Sequence, residues 1–321
     1  MLLGFKRTRM DKMKVLYIAG SGRCGSTLLG SAVEQIKGFF SPGELMNLWD
    51  RGIIDQHPCG CGRPLEKCTL WGSVVREVAG ENPYPRARTM MKLQRTVARK
   101  RHLPLLMSKI GRRRLKAGVE PYVATLDKLY SSIRRSTGAR VLVDSSKDPA
   151  YAYILRMVPS LEVYVLHLVR DPRAVAFSWQ RRKELFPSVM SQAPNVYMHQ
   201  HRVIKSTAHW VGFNLGIEAM RRELGPDRYM RITYEDFIRE PIAQLKRIMS
   251  FLDVNVDAFP FVRDGEMILA PNHSVSGNPS RYSTGIVKVR PDDEWQQRMQ
   301  LGHKRLVTLL SWPLGHRYGY L

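Results

Sequence analysis

Acidic residues are scarce in this sequence: 28 Asp and Glu stand against 51 Lys and Arg, a formal net charge of +23 over 321 residues. Such an imbalance favours an anionic partner, whether a nucleotide, an acidic membrane surface, a polyanionic substrate or nucleic acid, and by itself selects none of them. Long apolar runs are lacking too. No stretch approaches the ~18 uncharged apolar residues of a spanning helix. Residues 1–13 are basic, apolar only at their start (Leu2, Leu3, Phe5), and have no central apolar run like that of a signal peptide. They read as a basic tail. The expected location is cytoplasmic, with peripheral contact at the inner membrane surface left open by the charge. Cysteine is rare as well: Cys24 stands alone in a glycine-rich stretch, and Cys59, Cys61 and Cys68 form an odd-numbered cluster. A Cys59–Cys68 or Cys61–Cys68 bridge stays open for an oxidising compartment. With His57 the cluster could form a small zinc site, but C-x-C departs from the usual C-x₂₋₄-C spacing. Reduced cysteines in a compact loop is the reading adopted, and no metal ligand is assigned.

What is present is ordinary for one α/β domain with insertions, at 44% hydrophobic and 25% charged residues. Val15–Ala19 is a strand-like apolar run, followed by Gly20-Ser21-Gly22 and a helical pattern from Ser26 to about Ile36. Phe39-Phe40 reads as a second short strand, before the turn Ser41-Pro42-Gly43-Glu44. Further strands are expected at Val141–Val143, Val163–Val169 and Tyr229–Ile232, and helices at Pro149–Met157, Ser206–Glu223, Tyr234–Leu252 and Asp292–Leu310. Strands alternating with helices predict a central parallel sheet flanked by helices, with ligands at the strand carboxyl ends. Residues 85–137 interrupt the alternation as a basic helical insert. Residues 86–116 hold twelve Lys and Arg and no acid, interleaved with apolar residues such as Met90, Leu93, Val97 and Leu106. The insert reads either as a surface for an acidic acceptor or anionic lipid, or as a solvated face whose long side chains cover apolar stems.

Two motifs carry chemistry. Gly20-Ser21-Gly22-Arg23-Cys24-Gly25-Ser26-Thr27 lies between a strand and a helix, where curled backbone N–H groups and a helix N-terminus make an anion cradle. Ser26 stands where a nucleotide-triphosphate loop carries lysine, which argues against an ATPase, GTPase or ordinary kinase. Arg23 puts a bidentate guanidinium in the loop instead. The second motif, Arg170 to Arg182, follows the Val163–Val169 strand. If Pro172 opens a helix, Ser178 and Arg182 share a face four residues apart, and Arg170 and Ser178 can grip one phosphate from two sides.

Together the motifs resemble the sulfotransferase superfamily, whose donor is PAPS (3′-phosphoadenosine 5′-phosphosulfate). Gly22, Arg23, Cys24, Gly25, Ser26 and Thr27 look like its 5′-phosphosulfate loop, and Arg170 with Ser178 like its 3′-phosphate motif. Arg182 is added to the same nucleotide site. Thr233-Tyr234 and the segment to Leu252 resemble the stretch whose tyrosine approaches the nucleotide. Lys147-Asp148-Pro149 matches a step of the tyrosylprotein sulfotransferases in which the lysine sits at the transferring sulfate. Gly43-Glu44 falls where those enzymes carry a catalytic glutamate. The cytosolic steroid and phenol branch has Lys-Thr-His where this chain has Ser145-Ser146-Lys147, so a histidine base is not expected. Gly277-Asn278-Pro279-Ser280-Arg281 resembles bacterial-type members, and Arg281 and Lys288 are assigned to a loop closing on the 3′-phosphate.

The resemblance implies a P-loop-like sulfotransferase architecture over residues 1–321, read as a single domain. It implies sulfuryl transfer to a hydroxyl of a glycan, lipid, tyrosine or small metabolite, with release of PAP (the desulfated product). Arg23 and Lys147 supply positive field and Glu44 the base, with Asp144 the second choice. No metal is required for that chemistry, and no nucleic-acid partner is expected. His167 reads as a core histidine, and His199-x-His201 as surface. The competing classes are a kinase-like nucleotide enzyme and a basic protein binding nucleic acid or membrane through residues 86–116.

Overall fold

A computed structural model describes residues 12–186, 197–256 and 258–321. The basic tail lies outside the described residues as far as residue 11, and Met13 already opens the first strand. The elements in chain order are β1 (Met13–Ala19), α1 (Ser26–Glu34), β2 (Phe39–Gly43), α2 (Trp71–Ala79), α3 (Tyr84–Val97), α4 (Leu103–Met107), α5 (Lys109–Thr137), β3 (Val141–Lys147), α6 (Pro149–Leu155) and β4 (Leu161–Val169). There follow α7 (Pro172–Gln180), α8 (Val203–Leu224), β5 (Tyr229–Thr233), α9 (Tyr234–Arg239), α10 (Pro241–Phe251), β6 (Val262–Arg263), β7 (Glu266–Leu269), β8 (Gly285–Lys288), α11 (Glu294–Arg298) and α12 (Leu301–Arg317).

Strands β1 to β5 form one parallel sheet in the order β2-β3-β1-β4-β5. Alternate residues of β1 serve opposite faces, as a strand's period of two requires. Val15, Tyr17 and Ala19 join the core under α2, α5 and α6. Leu16 and Ile18 join the core under α1 and α10. Both faces are therefore covered, which explains why β1 and β4 read as unbroken apolar runs. The chain crosses the sheet's middle between β1 and β3 on one side and β4 on the other. The loops that leave their carboxyl ends, after Ala19, Lys147 and Val169, consequently converge at one edge.

Helix starts at that edge are fixed locally. Asp148 caps α6, its carboxylate accepting from the N–H of Ala150 at 2.8 Å, with Pro149 at the first helical position. Asp171 does the same for α7 through the Arg173 N–H at 2.7 Å, followed by Pro172. Both use proline where its missing N–H costs nothing. The expected helix Tyr234–Leu252 is two helices, because Pro241 lacks the N–H that would continue the first and starts the second instead. The expected helix Asp292–Leu310 is likewise α11 and α12, the second running on to Arg317. A small antiparallel sheet, β6-β7-β8, was not anticipated. Its strands are two to four residues long, too short for a period to register. The basic insert is helical, as expected, and packs Ala87, Met90, Val97, Leu106, Tyr122, Leu126 and Tyr130 into the main core. Among the described residues no helix is long and apolar enough to cross a membrane.

Candidate active site

At the carboxyl edge of the sheet lies a cavity of about 390 Å³. Its lining includes Gly22, Arg23, Gly25, Ser26 and Thr27 from the β1–α1 loop, Glu44 after β2, Lys147 at the end of β3, Arg170 and Ser178 around α7, and Tyr234 after β5. Five separate segments thus deliver ten of the residues singled out in the sequence to one place.

The loop can curl only because of its backbone. Gly25 has φ 96°, and a Cβ there would stand 2.3 Å from the Tyr234 ring, so a side chain is excluded twice over. Arg23 and Lys147 also adopt left-handed backbones, with φ 71° and 70°. Arg23 stacks on the Trp179 ring, its guanidinium carbon 4.7 Å from the centroid. Trp179 is backed in turn by His201, stacked at 4.1 Å and 6°. Arg170 lies 4.4 Å from the centroid of Tyr234 and donates to the carbonyl of Arg23 at 3.1 Å. Its other arm donates to Asp292 Oδ2 at 2.7 Å. Nε and Nη2 of Arg23 and Nε of Arg170 are buried with no hydrogen-bond partner. Burial lowers the Arg23 guanidinium from its ordinary value, with Glu44 pulling upward and Arg170 downward. Lys183, also in the lining, is lowered by burial and then by Arg23 and Arg181. A cavity lined by unpaired cationic donors is suited to an anion.

Glu44 and Lys147 form a close ion pair across the cavity floor. Lys147 Nζ also donates to Ser145 O at 2.9 Å, and Asn47 Nδ2 donates to Glu44 Oε2 at 2.7 Å. Burial raises the Glu44 carboxyl, but Lys147 and then Arg51, whose nearest nitrogen is 3.9 Å away, outweigh it and hold it below the usual carboxylate range. Asp144, the second choice of base, is fully buried and is not among the residues lining the cavity. It accepts from the Tyr130 hydroxyl and from the Ser146 N–H and Oγ, at 2.8 and 2.5 Å. Burial pushes it up to about 6. Ser146 Oγ in turn accepts from the N–H of Met46 at 3.0 Å. Asp144 therefore organises the floor that carries Glu44.

Four assigned residues do not line this cavity. Cys24 is buried beneath the loop, and burial raises its thiol. Arg182 fails to share a helix face with Ser178 because α7 stops at Gln180 and Arg181 is already extended. Its exposed guanidinium lies over the Tyr197 ring at 3.7 Å. Arg281 is 3% exposed and donates to the carbonyls of Ser274 and Pro58 at 2.7 and 2.8 Å, so its charge fastens backbone. Lys288 ends β8, exposed, opposite Glu266 in the β7–β8 register. The lining contains in their place Trp179, Lys183, Met198, Gly277, Asn278, Ser280 and Asp292. Gly277, Asn278 and Ser280 belong to the segment that the family resemblance had already placed near the donor, whereas Trp179, Lys183, Met198 and Asp292 sit in loops and helix ends where neither periodicity nor spacing marks them. His167 is the core histidine expected, 2.7 Å from both Tyr229 Oη and Asn214 Oδ1 and lowered by burial to about 4. His57 packs edge-on against Phe186.

The profile of the Sulfotransferase family matches residues 16–258. The chain belongs to the sulfotransferase family. Its fold is similar to that of the sulfotransferase domain from the olefin synthase of Synechococcus PCC 7002, with 20% identity, a TM-score of 0.50, and coverage of 97% of this chain and 98% of that one. Its sequence is similar to carbohydrate sulfotransferase 3 of Mus musculus, 25% identical over 168 residues, half of this chain. That match spans 34% of the mouse protein's length. The P-loop-like sulfotransferase architecture implied by the motifs is thus the architecture present.

In this family member the Glu44–Lys147 pair has a pH signature. A carboxyl lowered on folding contributes stability that is present above its unfolded pKa, about 4.3, and lost as pH falls through the lower folded value. Glu44→Gln should cost on the order of 1.5–3 kcal/mol at pH 7, the range for a hydrogen bond to a charged group. Below about pH 4.3 the gap from wild type should begin to narrow, closing once the pH has fallen through the folded value. Urea titrations at pH 7 and pH 3.5 measure it, and an equal gap at both would show that the pair is not what the substitution removes.

Proposed function

We propose that the protein transfers a sulfuryl group from PAPS to a hydroxyl-bearing acceptor and releases PAP. The observation that carries this reading is the buried set of unpaired guanidinium donors on Arg23 and Arg170, beside a loop of N–H groups and a carboxylate–ammonium pair. The loop Gly22–Thr27 and Arg23 receive the 5′-phosphosulfate; Arg170 and Ser178 receive the 3′-phosphate, and Tyr234 lies along the nucleotide. A kinase-like reading is weakened by Ser26 in place of lysine.

The acceptor oxygen attacks sulfur, its proton passes to Glu44, and the bond from sulfur to the bridging oxygen breaks, leaving charge on the 5′-phosphate of PAP. Lys147 neutralises that charge. In the free protein the same ammonium is the strongest of the charges holding Glu44 acidic. Drawing Lys147 toward the donor removes that influence, so donor binding makes Glu44 more basic before the acceptor ionises.

A second cavity, of about 720 Å³, adjoins this floor. Met46, Asn47 and Asp148, chain neighbours of the Glu44–Lys147 pair, line it with Asp50, Met91, Gln94 and the insert residues Arg95, Arg99 and Arg101. Three arginines face two carboxylates, and the insert reads as the acceptor wall, suited to a hydroxyl-bearing molecule that also carries negative charge.

Thermal shift tests the donor. PAP should stabilise the protein by RT ln(1 + [L]/Kd), while ATP and short DNA should not. Arg170→Ala should weaken PAP by about tenfold or more, as loss of a charge-assisted contact does. Asp292→Ala should tighten PAP several-fold, since the carboxylate no longer competes for Arg170. Adenosine 5′-phosphosulfate, lacking the 3′-phosphate, should respond to neither change. Equal responses from both ligands would refute the 3′-phosphate assignment.

Turnover tests the base. Glu44→Gln should lower kcat by about 10²–10⁴-fold with PAP affinity retained. The loss should shrink for a nitrophenol acceptor, whereas Lys147→Ala should slow every acceptor alike. Unchanged turnover in Glu44→Gln removes it as the base. Replacing Arg95, Arg99 and Arg101 with Gln should raise the KM of an anionic acceptor and leave PAP affinity unchanged. Loss of anionic-vesicle binding with an unchanged acceptor KM would instead assign the insert to a membrane surface.

A further inference from the structure

Three cysteines and a histidine that sulfuryl transfer does not use meet beside the donor cavity. Cys59 and Cys68 are buried, Cys61 and His273 partly so, and their four donor atoms all lie within 4.8 Å of one another. Cys68 Sγ is 3.7 Å from Cys59 Sγ, 3.9 Å from Cys61 Sγ and 3.2 Å from His273 Nδ1. Cys59 Sγ is 3.7 Å from the same nitrogen. Ligand atoms placed tetrahedrally around zinc, with Zn–S near 2.3 Å, stand about 3.7 Å apart. A disulfide would need sulfurs at about 2.05 Å, and all three cysteines are free thiols.

We propose that Cys59, Cys61, Cys68 and His273 bind one structural zinc ion. Four protein ligands close the coordination sphere, which distinguishes a structural from a catalytic site. Each thiol gives its proton to solvent on binding, and three thiolates, a neutral imidazole and Zn²⁺ carry a net charge of −1. The compensating cation is Arg281. It donates to Pro58 O, beside Cys59, and to Ser274 O, beside His273, and so lies against both ligand-bearing segments.

The backbone around the cluster is already tied. Gly60 N donates to Ser274 O at 2.8 Å, and Trp71 Nε1 donates to the carbonyl of His273 at 2.6 Å. A Cβ on Gly60 would stand 2.0 Å from Asn272 Oδ1, so glycine between the first two cysteines is what lets that loop press onto the segment 272–274. Zinc would fasten the loop 59–68 to the chain from 272 to 281. That second segment supplies Gly277, Asn278 and Ser280 to the donor cavity, and Ser276 O accepts from the N–H of Glu44 at 3.2 Å. The ion thus holds the wall that meets Thr27, where the Asn278 N–H donates to Thr27 Oγ1 at 3.2 Å, and the backbone that carries Glu44.

Elemental analysis of the full chain, purified without chelator or affinity-tag histidines, should find about one zinc per molecule. After removal of zinc under reducing conditions, Co²⁺ should restore one equivalent with the visible bands and sulfur-to-cobalt charge transfer of a thiolate-rich tetrahedral site. His273→Ala and Cys61→Ser should each weaken Co²⁺ binding by at least about tenfold, while His273→Cys should keep it. Metal removal should lower the melting temperature and weaken PAP. Protein that carries no zinc and takes up no Co²⁺ overturns the proposal, as does a Co²⁺ spectrum without sulfur charge transfer. So does an intact mass two protons light, which would mark a disulfide. The wild-type cobalt titration decides the matter even if the substituted chains fail to fold, and none of these readouts requires turnover.

Discussion

Guanidinium groups are costly to bury: each carries a full charge and five N–H donors that water would otherwise satisfy. This protein sets Arg23, partly buried, and Arg170, buried, next to each other at one edge of its sheet, and much of the surrounding structure is an answer to that difficulty. Trp179 and Tyr234 lie against their faces, where the ring quadrupole offers attraction without a hydrogen bond. His201 holds Trp179 from behind. Asp292 balances one charge, and Glu44 acts on the other at longer range. The donors that still lack partners define what has to bind there.

The parallel sheet makes this concentration achievable. Five strands pointing one way place five loops at one edge, and both sheet faces are sealed, so the arginines meet open space at the carboxyl edge of the sheet. Two additions complete it. The helical insert contributes one side of its surface to the core and three arginines to the neighbouring cavity. The segment 272–281 crosses back from the far end of the chain to close the other side.

Much of this was readable from residues close in sequence. Strand, glycine loop and helix are contiguous, so Gly22 to Thr27 announced a cradle; Pro172 and Asp171 announced a helix start. Glu44 and Lys147 were each assigned to the site through family resemblance, and the fold brings them into contact. What escaped notice depends on distant residues or on where helices end. His273 stands 205 residues from Cys68, so sequence proximity offered His57 beside the cysteines instead, and the C-x-C spacing turned the reading away from a metal. Arg182 was placed by extending α7 beyond Gln180, and no residue type there signals the stop. Arg281 looked like a phosphate ligand because a buried arginine fastening carbonyls and one awaiting an anion are the same letter. Asp292 was missed for the opposite reason, since an acid in an anion site contradicts the expected charge.

Arg23 and Lys147 share a backbone property that sets a limit on how the protein can be improved. Both occupy the left-handed region, which disfavours any residue with a Cβ by roughly 1–2 kcal/mol. Glycine would relieve that strain at either position and would also delete a charged group from the cavity. Substitutions chosen for folding stability alone would drift toward glycine at these two places. The fold thus holds a small reserve of stability that it can recover only by giving up its chemistry, and selection for the two qualities pulls these residues in opposite directions.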